Sequence, residues 1–287
     1  MRFALELWTP DPHLAVATAR HAEAVGFDAV YLGESPNRLN AETWVTLGAI
    51  ASSTATIRIG PVITNFLADY RSELLLARQV ATLARLADGR VDFRAGAGAS
   101  ASLGRRWWEP AGVRYDDYAS RLDALDHGLS RLRRWWGGEM VTAPRGEAVR
   151  LDLPHPPIPV TVAASGERAM AVAERHGDCW ETSHRTPAEW LTGPRPGRGD
   201  MVNSLEIDAF VAPDESSLDD LLRRVQQDRR GESIDRLLDR ALVGTPTQVA
   251  PAVAAYAAVG VEQLLLVPHD PTDRATLSAI GAIPRPR

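Results

Sequence analysis

Apolar positions along the chain fall into short continuous runs separated by stretches of helical spacing. Phe3 to Trp8, Asp28 to Leu32, Ile57 to Ile63 and Val91 to Ala95 read as four strands. Ile158 to Ala163, Asp178 to Thr182, Leu205 to Val211 and Glu262 to Val267 read as four more. Most are apolar runs of about six residues, the pattern of parallel strands buried on both faces. Helical patterns lie between them at Ala15 to Val25, Val45 to Ser52, Val80 to Leu86, Val172 to Arg175 and Val249 to Val259. Gly26, Gly89, Gly177 and Gly260 follow four of these helices, and glycine suits a helix C-terminal cap. Eight alternating strands and helices predict an α/β fold, a single (β/α)8 TIM barrel over residues 1–287, close to the roughly 250 residues typical of that fold. An open doubly wound sheet is the alternative.

Two segments exceed a minimal barrel. The first, about 99–157, follows the fourth strand and holds one good helix, about Tyr115 to Trp136. Arg105-Arg106-Trp107-Trp108 precedes that helix, and Pro/Gly-rich coil follows it to Pro157. The second, 186–200, carries Gly193-Pro194-Arg195-Pro196-Gly197-Arg198-Gly199 and reads as a mobile loop. Both follow strands and therefore fall on the rim that holds ligands, where long loops are more often lids than linkers. Trp107 and Trp108 then either face a substrate or pack the inserted helix.

Composition narrows the function classes. With 45% hydrophobic residues the chain can build a large core, and its net charge of -5 gives no footprint for nucleic acid. No apolar run approaches about 18 residues, so no membrane span is expected. Met1-Arg2-Phe3 opens directly on a strand without a signal-peptide pattern, which predicts a cytoplasmic protein. Cys179 is the one cysteine, so no intramolecular disulfide forms. All 32 basic residues are arginine, which removes Schiff-base lysine chemistry and the P-loop. The seven histidines are scattered, with no His-Glu-x-x-His, and no metal site is expected. A Gly-x-Ser-x-Gly elbow is also missing.

Residues at the C-terminal strand ends face the ligand in such a barrel. Here they are Trp8 and Thr9, Glu34 and Ser35, Thr64 and Asn65, Arg94 and Gly96, Ala164 and Ser165, Ser183 and His184, and His269 and Asp270. Ser165-Gly166-Glu167-Arg168 leads from a strand into a helix, so free backbone N–H groups point at the rim as an anion site. Ser165 could instead simply cap that helix. Arg94 lies in an otherwise apolar strand and needs an anionic partner, either a carboxylate of the fold or a bound phosphate. Glu34 and His184 are the candidates for proton handling.

The chain resembles the luciferase-like family of flavin and deazaflavin oxidoreductases along nearly its whole length. The carrying segments, in order, are YLGES ending at Ser35, IRIGPVITN at 57–65 and LARLADGRVDFRAGAG at 83–98. GLSRLRRWWGGEMV, VTVAASGERAMAVAERHGDCWETS and GTPTQVAPAVAAYAAVGVEQLLLV follow. The resemblance implies a pocket for coenzyme F420 or FMN. Thr64 and Asn65 would lie behind the ring, Gly96 and Gly98 beside it, and Ser165, Gly166, Glu167 and Arg168 at the phosphate, with Arg94 as a helper. Trp8, Ser35, Trp107, Trp108 and His269 would face the substrate. It also implies a homodimer through the helices carrying Trp44, Leu47, Leu75 and Leu76.

Three departures from the family pattern matter. Ser35 stands where a histidine is common, Ala99 where sugar-oxidising members carry glutamate, and Arg94 in place of a glycine. Without that histidine and glutamate, proton abstraction from a sugar hydroxyl is not expected. The favoured expectation is reduction of a C=C or C=N bond by reduced F420 or FMN, with Glu34 or His184 supplying the proton. FMN-dependent monooxygenation is the alternative. A cofactor-free isomerase or hydrolase and a non-catalytic binding relative are the other classes.

Overall fold

A computed structural model describes residues 1–36, 40–142, 148–150, 155–229 and 233–286. Among the described residues are eleven strands: β1 (Arg2–Leu7), β2 (Ala29–Gly33), β3 (Arg58–Val62), β4 (Phe93–Gly96), β5 (Met140–Thr142), β6 (Ala148–Arg150), β7 (Val160–Ala163), β8 (Cys179–Ser183), β9 (Val202–Val211), β10 (Leu242–Gly244) and β11 (Gln263–Pro268). Eight of them run parallel in the order β3-β2-β1-β11-β9-β8-β7-β4. The ring closes between β3 and β4 through bridges at Ile59–Val91 and Thr64–Ala95. At the upper bridge Thr64 N–H donates to the Arg94 carbonyl at 2.9 Å and Gly96 N–H donates to the Thr64 carbonyl at 3.1 Å. The expected barrel is therefore present, and the open sheet is set aside.

Seven helices form the outer layer: α1 (Pro12–Ala24), α2 (Thr43–Ser53), α3 (Glu73–Leu86), α5 (Tyr118–Trp136), α6 (Glu167–His176), α10 (Pro246–Ala258) and α11 (Arg274–Gly281). Their apolar faces join the strands in one core that includes Phe3, Leu47, Val80, Leu125, Val253 and Ile280. Turns reverse the chain where a left-handed residue fits, as at Gly89 (φ 78°) after α3. Trp44, Leu47 and Leu76, expected on a dimer face, belong to this core; of that set only Leu75 is exposed, at 50%.

The extra segments hold more structure than the sequence pattern suggests. After β4 comes α4 (Ala101–Trp108), laid across the rim before α5 begins. β5 and β6 form an antiparallel ribbon where coil was expected; residues 143–147 and 151–154 lie outside the described set. Part of the expected loop at 186–200 is α7 (Pro187–Thr192). A reciprocal cap between Thr186 and Glu189 starts that helix, and its Trp190 is fully buried, 5.2 Å from the Trp180 ring. Between β9 and β10 lie α8 (Glu215–Asp228) and α9 (Ile234–Leu238). Leu218, Leu221 and Val225 of α8 pack with Phe210 in a separate small cluster.

Candidate active site

The C-terminal strand ends enclose a cavity of about 530 Å³. Its floor is built from inward-facing strand residues: Glu6 of β1, Glu181 of β8 and Glu206 of β9. Its walls are Trp8, Glu34 and Asn65 on one side and Ala163, Ala164 and Ser165 on another. The segment after β4 adds Ala97, Gly98 and Ala99, and α4 closes over them with Leu103, Trp107 and Trp108. The inserted tryptophans thus reach the cavity as well as packing: Trp108 is 2% exposed and meets Tyr70 edge-on at 4.8 Å.

Glu34 lines the cavity, but its carboxylate is engaged. It accepts from Trp44 Nε1 at 3.0 Å and Thr64 Oγ1 at 2.5 Å, and pairs with Arg71 at 2.7 Å. Thr64 stands behind Glu34, fully buried and off the cavity wall; Ser35 is also buried and off the wall. Arg94, expected beside a phosphate, instead lies fully buried beneath the floor. It donates to Glu181 and stacks on the Tyr31 ring at 3.9 Å, so its anionic partner is a carboxylate of the fold. The other Glu181 oxygen accepts from Ser204 Oγ at 2.7 Å.

His184 and His269 also stand apart from the cavity wall. The His184 ring lies 3.6 Å from both Glu206 and Asp208, with 41% of its side chain exposed and φ at 52°. His269 pairs with Asp228 of α8 at 3.1 Å. Of the two expected proton-handling residues, then, Glu34 is on the wall but fixed, and His184 reaches it only through Glu206.

Sequence reading missed Glu6, because alternation within an apolar strand does not announce which residues face inward. Burial raises the Glu6 carboxyl to about 7, although the Trp8 indole N–H donates to it at 2.6 Å. Glu181 and Asp208 add to the rise, and Arg94 opposes it. Glu206 is likewise held well above the ordinary range, by burial and by the nearby charges of Glu6 and Glu181. The cavity floor therefore carries carboxyls that keep protons near neutrality.

The residues present fit a flat ring bearing a phosphate. Gly98 sits at φ 81°, where a Cβ would lie 2.3 Å from Asn65 Oδ1 and 2.4 Å from the Tyr115 hydroxyl. No residue larger than glycine fits at this point of the wall. Arg121, also missed in the sequence, holds it in place by donating to the Ala97 carbonyl at 2.7 Å and the Ala99 carbonyl at 3.0 Å. Gly96 is withdrawn from the cavity and packs against Ile63, just beyond the cis peptide Val62–Ile63. Opposite, Gly166 is the N-cap of α6 and no side chain caps the helix, so Ser165 does not serve as its cap. The first amides of α6 are left to an anion at the cavity edge. Glu167 and Arg168 are exposed in that first turn, Arg168 leaning 3.6 Å from Asp123.

Comparison with known proteins gives the family and the fold. F420-dependent hydroxymycolic acid dehydrogenase of Mycobacterium tuberculosis is 32% identical over 177 residues, 58% of this chain and 47% of its own length. An F420-dependent glucose-6-phosphate dehydrogenase of Nakamurella multipartita is 27% identical over 240 residues, 76% of this chain and 66% of its own. The chain spans about half the length of the first of these relatives. Among solved structures, an F420-dependent secondary alcohol dehydrogenase bound to an F420-acetone adduct has a TM-score of 0.82 at 18% identity, covering 99% and 98% of the two chains. The oxygenating constituent of 3,6-diketocamphane monooxygenase from the CAM plasmid of Pseudomonas putida, in complex with FMN, has a TM-score of 0.74 at 16% identity, covering 99% and 97%. At these identities the two structures speak to the fold. Residues 4–190, well over half of the chain, match the family described as luciferase-like monooxygenase, and the protein belongs to that family.

Proposed function

We propose that the protein is an oxidoreductase that uses reduced F420, or reduced FMN, to reduce a C=C or C=N bond of a small organic substrate. One observation carries this reading: a single cavity joins an uncapped helix start, fit for a phosphate, to a buried carboxyl, Glu6, that holds its proton near neutrality. The names of the relatives favour F420 over FMN. When bound, the cofactor supplies the hydride.

The chain's own residues do the rest. Amides at the start of α6 hold the phosphate, and Gly98 leaves room for the ring. Trp107, Trp108 and Leu103 of α4 cover the cavity and exclude water. Glu6 gives its proton to the atom left electron-rich after hydride addition, and the Trp8 indole orients the carboxyl. Glu34 acts as a structural anchor: its ties to Arg71, Trp44 and Thr64 fix the ends of β2 and β3.

The test is oxidation of F420H2, followed by absorbance, against a panel of cyclic imines and enones. Substrate-dependent oxidation is expected with at least one compound. Oxidation that proceeds only with oxygen and reduced FMN, giving an oxygenated product, would replace reductase by monooxygenase.

A further inference from the structure

Charge on the cavity wall is one-sided. Among the described residues that line it, Glu6, Glu34, Glu181 and Glu206 are acidic, and none is arginine or histidine. Behind the wall Arg71 answers Glu34 and Arg94 answers Glu181. Two carboxyls remain. Glu6 accepts from the Trp8 indole through one oxygen, while its buried Oε2 has no hydrogen-bond partner. Glu206 has His184 at 3.6 Å, beyond hydrogen-bond length.

A second observation points the same way. Asn65, 9% exposed and on the cavity wall, presents an amide oxygen with no hydrogen-bond partner. Asn65 Oδ1 is thus an unmet acceptor, and together with Glu206 it favours a ligand that donates hydrogen or carries positive charge. Lining the same cavity are the aromatic side chains of Trp8, Trp107, Trp108 and Tyr118. Carboxylates combined with aromatic faces are how proteins hold organic cations. A phosphorylated or carboxylated substrate would meet this wall without a basic side chain on it, and the start of α6 is the one anion-attracting feature identified at its edge.

We propose that the substrate is an organic cation with its charge at the reacting bond, an iminium, and that anionic substrates are rejected; this rests on the oxidoreductase reading above. In the reaction, the iminium carbon receives hydride and forms a C–H bond. The C=N π pair becomes a lone pair on nitrogen. The neutral amine then takes the Glu6 proton and leaves as an ammonium beside a carboxylate.

The test uses the full chain and three bicyclic probes of similar size and different charge. N-Methyl-3,4-dihydroisoquinolinium is a cyclic iminium, 1,2-dihydronaphthalene is its neutral counterpart, and 1-naphthoate is anionic. Calorimetric titration should rank the iminium at least about tenfold tighter than the neutral compound, with naphthoate weakest, a tenfold step being a modest charge interaction. Glu6 faces Glu181, Asp208 and Arg94; Glu206 faces Glu6, Glu181, Arg94, Asp208 and His184. A cation settling beside Glu206 displaces its proton while Glu6 keeps the one it later gives, so titration near neutral pH in buffers of different ionisation enthalpy should register proton release. Glu206→Gln should erase most of the preference for the iminium. Naphthoate binding as tightly as the iminium would overturn the proposal, as would a preference untouched by both Glu206→Gln and Glu6→Gln. Should the variants fail to fold, the wild-type ranking and proton release still decide. F420 binding is measured separately by its fluorescence. A protein that binds F420 but shows no cation preference loses this inference alone, whereas failure to bind F420 or FMN removes the oxidoreductase reading and leaves the probe ranking intact.

Discussion

On the proposed function, Glu6 is the residue on which the chemistry turns. Its carboxyl is raised to about 7 by burial, so it is protonated on the acid side of neutrality. A general acid in that state works below its pKa, and turnover should fall as pH rises through about 7. Glu6→Gln should remove that limb of the pH profile and lower turnover by about 100-fold, the scale usual for a lost acid. Unchanged turnover and profile would hand the proton to His184 by way of Glu206, or to solvent. Stability follows the same sign. Between its ordinary 4.5 and about 7 the folded state holds the Glu6 proton more firmly than the unfolded chain, so that contribution is full below 4.5 and is lost as pH climbs through 7. Little of this was legible in the sequence. Glu34 was visible because it ends a strand beside a turn, but its partner Arg71 comes from the loop before α3, and no spacing rule links the two. Arg94 drew attention as a charge in an apolar strand; that Glu181 answers it depends on β4 and β8 lying on either side of β7 in the sheet.

At the level of elements, the start of α6 carries the cofactor argument. Gly166 caps the helix without a side chain, and a Cβ built there meets nothing within 4 Å. Gly166→Leu should therefore weaken F420 binding by about tenfold or more and cost comparatively little stability, because the new side chain occupies the anion's approach. Equal affinity would dissociate α6 from the phosphate. A second element-level device is Glu23 on α1. Burial pushes its carboxyl up, but amides of Ala55, Thr56 and Ile57 and the Thr56 hydroxyl outweigh this and bring it down to about 2. That contribution is present above 4.5 and is lost as pH falls through 2. Glu23→Gln should lower the melting temperature at neutral pH by a few degrees and flatten its decline in acid; identical melting curves would count against this clamp. Helices α8 and α11 escaped the pattern reading because Leu218, Leu221 and Val225, or Leu277 and Ile280, give few apolar markers among many polar residues. The barrel helices with more small apolar residues, such as α2 and α10, stood out.

For the whole molecule, the repeating apolar runs and glycine stops made the barrel readable, since each β/α unit repeats the same burial problem. The rim was less readable, because its order comes from loops whose caps and aromatic contacts are set by tertiary packing. The oligomeric state belongs to this scale too. Val45 of α2 is 75% exposed, and Leu74, Leu75 and Leu86 of α3 are 38%, 50% and 51% exposed. We expect these neighbouring helices to meet their copies in a homodimer across a two-fold axis. Light scattering should give twice the chain mass at micromolar concentration, and Val45→Glu with Leu75→Glu should halve it; a monomeric wild type would refute the pairing. The most direct measurement of the central claim is equilibrium titration of the full chain with F420 and with FMN, read by cofactor fluorescence. The account predicts saturable one-to-one binding of at least one of them, F420 the tighter. No saturation by either up to about 100 μM, weaker than any working cofactor site would need, would contradict it.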